Sequence, residues 1–145
     1  MMLFFYKMTV AENDFVMVDN RDFSLSGVLT GANVADICQR RFGVGADGLV
    51  AVEPARNGGD ILMRHYNADG SEAALEANAL LCCTAFADFL EDEGQKKTLI
   101  ETPAGMVQGV VNDDDSVSVL LPGGSEAVAG QALIVFRGEV ILCED

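Results

Sequence analysis

An apolar run over residues 73–90 follows directly on a cluster of turn residues, Asn67-Ala68-Asp69-Gly70-Ser71-Glu72. Four polar residues interrupt this run: Glu76, Asn78, Thr84 and Asp88. A helix that is apolar on most of its sides is stable in water only when other elements cover it. The sequence therefore predicts a strand, a tight turn and then a buried helix over 73–90. Glu76 and Asn78 stand just inside the start of this helix, which makes them the first candidates for chemistry.

The charge balance restricts the partners of the chain. Nine basic and 23 acidic residues give a formal net charge of −14 over 145 residues. Such an acidic protein is repelled by nucleic acids and by anionic membranes, so we expect neither as a partner. Glu76 and Asp88 interrupt the best candidate for a membrane helix, and residues 1–7 lack the basic region of a signal peptide. We expect a single cytoplasmic domain over residues 1–145.

Short strand-like segments make up most of the remaining chain. A short helix is expected over residues 34–41, with Asn33 as its cap. An α+β fold follows, in which a curled, mostly antiparallel sheet or open barrel of eight or nine strands wraps around the helix at 73–90. The segments predicted as strands are 2–10, 15–18, 49–52, 60–66, 98–102, 105–111, 116–121 and a last hairpin of 132–136 with 139–143.

Residue types that commonly bind metals are sparse. The cysteines lack the CxxC spacing of a zinc or redox site and are interpreted as small buried side chains. His65, the only histidine, is assigned a structural role, and the Asp run at 113–115 is more typical of a solvated turn than of a calcium loop. We therefore expect no metal site. The four cysteines are Cys38, Cys82, Cys83 and Cys143.

Three glycines fall within six residues after the short helix: Gly43, Gly45 and Gly48. This density indicates backbone that is left-handed or lies very close to another segment. The stretch is neither a GxGxxG motif that opens a helix nor a P-loop with its lysine. Nucleotide binding is therefore not expected.

Several of these stretches together resemble the N-terminal half of diaminopimelate epimerase, in the order of that family and over roughly residues 7–111. The matching stretches are Lys7-Met8, Asn13-Asp14-Phe15-Val16-Met17-Val18-Asp19, Ile37-Cys38-Gln39-Arg40-Arg41-Phe42-Gly43-Val44-Gly45-Ala46-Asp47-Gly48-Leu49, Met63-Arg64 and Tyr66-Asn67-Ala68-Asp69-Gly70-Ser71-Glu72-Ala73. The resemblance implies one lobe of a two-lobed fold, a β-roll around a central helix. It also implies cofactor-independent inversion of a carbon next to a carboxylate by two cysteines, one from each lobe.

The resemblance places Glu76 at the position of the first catalytic cysteine. In the family, this cysteine lies in Met-Cys-Gly-Asn-Gly, and the corresponding residues here are Leu75-Glu76-Ala77-Asn78-Ala79. The alanines narrow the cradle for a substrate carboxylate, and Glu76 adds an anion there. Two carboxylates about 4 Å apart repel by on the order of 4 kcal/mol at an effective dielectric near 20. Asn13 and Asn67 match substrate contacts of the family, so the candidate ligand-binding residues are Asn13, Asn67, Ala77 and Asn78.

Three functions remain open from the sequence. The first is a catalytically degenerate epimerase-like domain that binds a small polar ligand or assembles, with a homodimer expected because one lobe alone leaves an apolar face uncovered. The second is a surviving isomerase in which Glu76 is the base and a dimer mate supplies the acid. The third is one lobe of a split epimerase. The expected second lobe, with the second cysteine, is not in the sequence.

Overall fold

The fold comes from a computed structural model, which describes residues 1–91, 96–122 and 127–142. It is an α+β fold with two helices and nine strands in the described residues, as the sequence predicts. The helices are α1 (Gly31–Cys38) and α2 (Ala77–Leu90). The strands are β1 (Met2–Val10), β2 (Asn13–Asp19), β3 (Gly48–Pro54), β4 (Ile61–Asn67), β5 (Lys97–Thr102), β6 (Gly105–Val111), β7 (Val117–Leu120), β8 (Ala127–Gly130) and β9 (Ala132–Ile141).

All nine strands belong to one sheet in the order β8-β7-β6-β5-β4-β3-β2-β1-β9. The pairs β2–β3 and β4–β5 are parallel, and the other six pairs are antiparallel. Helix α2 contacts every one of the nine strands, so the sheet curls around it. The expected open, mostly antiparallel roll around a buried helix is confirmed.

The sheet separates two hydrophobic clusters. On its concave face, α2 packs Leu80, Cys82 and Phe86 against residues such as Met8 and Val10. Full burial of a side chain such as Leu80 or Phe86 contributes roughly 2 kcal/mol to the stability of the fold. On the convex face, α1 covers the first three strands through Val34 and Ile37. Alternating residues of β1 therefore serve two different cores.

Both predicted helix boundaries are corrected by the structure. Helix α2 begins at Ala77 rather than at residue 73, because Ala73 N donates to His65 O (2.9 Å) and keeps the preceding segment extended beside β4. Helix α1 begins at Gly31 and is capped by Thr30, whose Oγ1 accepts from Asn33 N (3.2 Å). Asn33 is therefore inside the helix, and its side chain donates to Val28 O instead.

The predicted hairpin at the end of the chain is wrong. Residues 132–141 form one continuous strand, β9, that pairs antiparallel with β1 over its whole length. Arg137-Gly138 does not turn, because both residues pair with β1, Arg137 with Tyr6 and Gly138 with Phe5. Strand β8 was not predicted from the sequence, and Cys143 lies outside the described residues. The other predicted strands agree within two residues at each end.

The contact between α2 and β6 at Gly109 gives a test of the packing. A Cβ at this position would lie 2.1 Å from Thr84 Oγ1 and 2.9 Å from Thr84 Cβ. Gly109→Ala must therefore displace the helix, and we expect it to lower the free energy of unfolding by about 2 kcal/mol in urea denaturation. Gly27→Ala is the matched control, because nothing lies within 4 Å of its Cβ position. Equal stabilities of the two variants would contradict this packing.

Candidate functional site

Glu76 is the N-cap residue of α2 and lies at the mouth of the roll. Its backbone is extended (φ −136°, ψ 130°) and its side chain makes no capping hydrogen bond, although a carboxylate could satisfy a helix N-terminus. The side chain is half-buried. Desolvation by this burial raises the pKa of Glu76, and the nearby Asp47 carboxylate raises it further. Two carboxyl groups therefore share the mouth.

Asn78 and Asn13 meet at the same mouth. Asn78 is the second residue of α2, and its Nδ2 donates to Oδ1 of Asn13, the first residue of β2, over 2.6 Å. Asn13 Nδ2 in turn donates to Asp47 Oδ2 (3.1 Å). The fold thus gathers Asn13, Ala77 and Asn78 with Glu76, although 65 residues separate the two asparagines.

An ion-pair network holds Asp47 and Asn13 in place. Asp14 accepts from both terminal nitrogens of Arg40 (3.1 and 2.9 Å), from Lys7 Nζ (3.1 Å) and from the backbone N–H of Asp47 (2.9 Å). Arg40 also pairs with Asp47 (3.2 Å). Burial raises the pKa of Asp14, but the hydrogen bonds from Arg40 and Lys7 outweigh it and hold that pKa well below its usual range.

Sequence reasoning did not find this network as a functional unit. The resemblance was the signal that could have identified it, because the matching stretches contain all four residues of the network: Lys7, Asp14, Arg40 and Asp47. Pairing between them depends on the parallel register of β2 and β3, which places Phe15 beside Gly48 and brings the neighbouring Asp14 to Asp47. Single residues in a linear sequence do not reveal such a register.

The loop between α1 and β3 makes the close approaches that its glycines indicate. Gly45 has a positive φ of 83°, and its carbonyl accepts a hydrogen bond from the buried Lys7. At Gly43 a Cβ would lie 2.0 Å from the carbonyl oxygen of Asp36. The tight backbone here positions Asp47 at the mouth and packs the loop against α1.

Asn67, the remaining predicted ligand-binding residue, bonds within its own turn. Its Nδ2 donates to Ser71 Oγ (3.1 Å) and to Glu72 O (3.5 Å). Among the described residues it has no hydrogen bond to Asn13 or Asn78. The side chain of Asn67 therefore helps to close the turn before α2, and the residue pairs with Gly48, the neighbour of Asp47.

The thiols that the structure describes are all buried, as the sequence predicts. Burial, and to a lesser degree Glu76, raises the pKa of Cys82 to about 12. Burial likewise raises the pKa of Cys83, and that of Cys38 to about 11. In the described part of the chain, no cysteine reaches the mouth of α2. These thiols remain protonated at neutral pH and cannot act there as bases.

His65 has surroundings that agree with a structural role. Its half-buried ring meets Phe15 edge-on, with 5.5 Å between centroids, and burial lowers its pKa. The described residues contain no cluster of three His, Cys, Asp or Glu side chains suited to a metal. Among the helices described, none is long and apolar enough to cross a membrane.

A cleft of about 310 Å³ lies beside the mouth rather than at it. Strand β4, the extended segment 72–75 and the turn after β5 form its walls. Leu75 is part of the lining, but Asn13, Glu76 and Asn78 are not. The cleft therefore borders the candidate site without containing its polar groups.

Comparison with known proteins gives the family. The diaminopimelate epimerase family matches residues 5–127. The protein belongs to the diaminopimelate epimerase family. It is 42% identical over 118 residues to the chloroplastic diaminopimelate epimerase of Oryza sativa subsp. japonica, covering 81% of this chain and 33% of the relative. It is 38% identical over 134 residues to the diaminopimelate epimerase of Cyanothece sp., covering 90% and 47%.

Solved structures support the same fold. A methylitaconate-delta-isomerase matches with a TM-score of 0.71 at 12% identity, over 97% of this chain and 95% of that one. A hydroxyproline epimerase from Agrobacterium vitis, with bound trans-4-hydroxy-L-proline, matches with a TM-score of 0.60 at 15% identity, over 83% and 41%. The chain spans only a third to a half of the length of the curated relatives described above.

Asp14 offers a test of the network at the mouth. Asp14→Asn leaves the buried Lys7 ammonium without its carboxylate, so we expect a loss of about 3 kcal/mol in the free energy of unfolding at neutral pH. The fold lowers the pKa of Asp14. The stability that its ionised carboxylate contributes is therefore complete above its ordinary pKa of 3.8 and is lost as the pH falls below that value. The difference between variant and wild type should therefore narrow in acid.

Denaturant titrations from pH 7 to pH 3 measure this difference. Asp36→Asn, an exposed change on α1, is the control and should leave stability nearly unchanged. A difference for Asp14→Asn that stays constant across this range would show that the carboxylate does not act through its charge.

Proposed function

We propose that this chain is a catalytically degenerate diaminopimelate epimerase-family domain that binds or assembles and does not epimerise. The observation that carries the proposal is Glu76, a half-buried carboxyl group at the helix mouth. The sequence resemblance assigns this position to the first thiol of the family. Inversion in this family requires a thiolate on one side of the carbon and a thiol on the other. The described thiols are all buried, so the part of the chain that the structure describes supplies neither group at the mouth.

The polar groups at the mouth also argue against an amino-acid substrate. Glu76 and Asp47 make it anionic, and a substrate carboxylate about 4 Å from one of them is repelled by on the order of 4 kcal/mol. The amide of Asn78 is already bonded to Asn13 over 2.6 Å, so a ligand must displace that bond. Ala77 and the fully buried Ala79 add methyl groups near the helix N–H donors. A neutral or cationic small polar ligand is favoured over a carboxylate.

A second function, a surviving isomerase, is supported by the raised pKa of Glu76. A carboxyl group whose pKa moves toward neutrality is a better general base than an ordinary one. This function needs an acid on the opposite face of the substrate, which a dimer mate would supply.

A third function is that of one lobe of a split epimerase. The length of the chain supports it, because the chain spans 33% and 47% of the two relatives described above. Co-purification of a second chain with a reactive thiol would support that function.

Hydrogen exchange at the substrate α-carbon distinguishes degeneracy from surviving catalysis. Wild-type protein is incubated in deuterated water with diaminopimelate, proline and hydroxy acids. We expect these compounds to incorporate no more deuterium at the α-carbon than they do in buffer without the protein. Glu76→Gln, which keeps the shape of the side chain and removes its basicity, should give the same rate. A full-length diaminopimelate epimerase is the positive control. Faster exchange in wild type than in Glu76→Gln would overturn degeneracy and support the isomerase.

We also infer that the chain forms a homodimer, since several large apolar side chains along β9 are exposed, among them Leu133, Val135 and Ile141. Contiguous apolar surface of this kind usually marks an interaction site. Light scattering at micromolar concentration should give a mass near twice the 15.4 kDa of the chain. A mass of one chain under those conditions would contradict the dimer and would leave the exchange experiment unaffected.

A further inference from the structure

We propose that two copies associate through β9, whose edges pair antiparallel about a two-fold axis at Gly138. This interface deepens the homodimer proposed above and rests on it. The two nine-stranded sheets would then join into one continuous sheet across the axis. Such an interface is isologous, since each copy contributes the same strand.

The outer edge of β9 is open in the structure. Strand β9 ends the sheet next to β1, and β1 is its sole pairing partner within the described ranges. One row of its backbone N–H and C=O groups along ten residues therefore faces away from β1. Natural proteins normally cover, shorten or charge such an edge, because it pairs readily with another strand. An edge of this length is suited to addition of a strand from a second chain.

The side chains of this edge are also mostly apolar. Val135 and Phe136 are 57% and 47% exposed, and Ile141 is 74% exposed, although all three are large hydrophobic residues. Phe136 lies on the same face as Phe5 and Lys7, whereas Ile141 lies on the opposite face beside Met2. Apolar surface is thus exposed on both faces of one strand. A strand added at this edge would cover both faces at once.

The charges on β9 select a second copy as the occupant and fix the register. When two identical antiparallel strands are centred on Gly138, Arg137 of each copy lies directly opposite Glu139 of the other. This arrangement gives two opposite-charge cross-strand pairs. A centre at Arg137 or at Glu139 would instead place like charges face to face, which destabilises the pairing. The strand is therefore complementary to itself in the register centred on Gly138.

The same register agrees with the apolar side chains. It places Phe136 opposite Val140 on the face that carries Phe5, so two aromatic-aliphatic pairs flank the glycines. Gly138 of one copy lies opposite Gly138 of the other, which leaves room for the Phe136 side chains. The regular pairing of β9 with β1 runs as far as Phe136. It is interrupted at Val135 by the bulge opposite Lys7 and Met8 of β1. The proposed contact therefore spans the regular part of β9.

Charge reversal tests the interface without disturbing the core, because Arg137 and Glu139 are both exposed. Arg137→Glu or Glu139→Arg alone converts both cross-strand pairs into repulsive ones, so each should raise the dimer dissociation constant about tenfold or more. The double variant Arg137→Glu/Glu139→Arg should return it to near the wild-type value. Sedimentation velocity over a concentration series measures the constant, and circular dichroism checks the fold.

A mixture of the two single variants gives an independent readout. Equimolar Arg137→Glu and Glu139→Arg proteins should form a heterodimer, since the reversed charges then face opposite charges across the axis. Arg41→Glu, an exposed reversal next to Arg40 and away from β9, is the control for net charge and should leave the constant unchanged.

The outcomes separate the interface from the rest of the proposal. A wild-type dimer that neither single reversal weakens would overturn pairing through β9 and leave the homodimer intact. Weakening by both single variants without rescue by the double variant would overturn the register centred on Gly138. A wild-type monomer at micromolar concentration would overturn the dimer and the interface together. None of these results bears on hydrogen exchange, which tests catalytic degeneracy separately.

Discussion

Helix α2 is apolar on nearly every side, and its burial organises the rest of the molecule. Eight of its residues are buried, among them Leu80, Cys82, Cys83 and Phe86, and the helix contacts all nine strands. Water cannot solvate such a helix without a large free-energy cost, so the sheet must curl around it. The curl brings the start of β2, the loop before β3 and the N-terminus of α2 to one mouth. The candidate site is therefore a consequence of the same burial that stabilises the core.

At that mouth, the polar contacts support the fold more evidently than they support catalysis. Asn78 bonds to Asn13, Asn13 bonds to Asp47, and Arg40 and Lys7 neutralise Asp14. These bonds link the first strands to the central helix. The side chain of Glu76 makes no capping hydrogen bond to the helix, and burial raises its pKa. The family fold is present, and a carboxyl group stands at its helix mouth.

Much of the fold could be predicted from local patterns, and the errors have physical causes. Strands such as β6 were predicted with their observed bounds, because alternation and turn residues are local signals. The start of α2 was placed four residues early, since Ala73 and its neighbours favour a helix but pair with β4 instead. The turn expected at Arg137-Gly138 is absent, since pairing with β1 outweighs a local preference for a turn. Asn33 and Thr30 both suit a helix cap, and local sequence did not choose between them.

The sequence by itself determined the α+β class and the buried central helix, because hydrophobic periodicity and turn chemistry are properties of neighbouring positions. The resemblance of its motifs indicated the family, and it predicts that Glu76 stands at the position of the expected thiol. Only the tertiary structure decided that Asn13 bonds to Asn78, that Asn67 stays in its own turn and that Asp14 and Asp47 share Arg40. It also decided that β9 is one continuous strand at the edge of the sheet, with β1 as its pairing partner in the described residues. Each of these depends on strand register and long-range pairing, which arise when distant segments bury their apolar faces together.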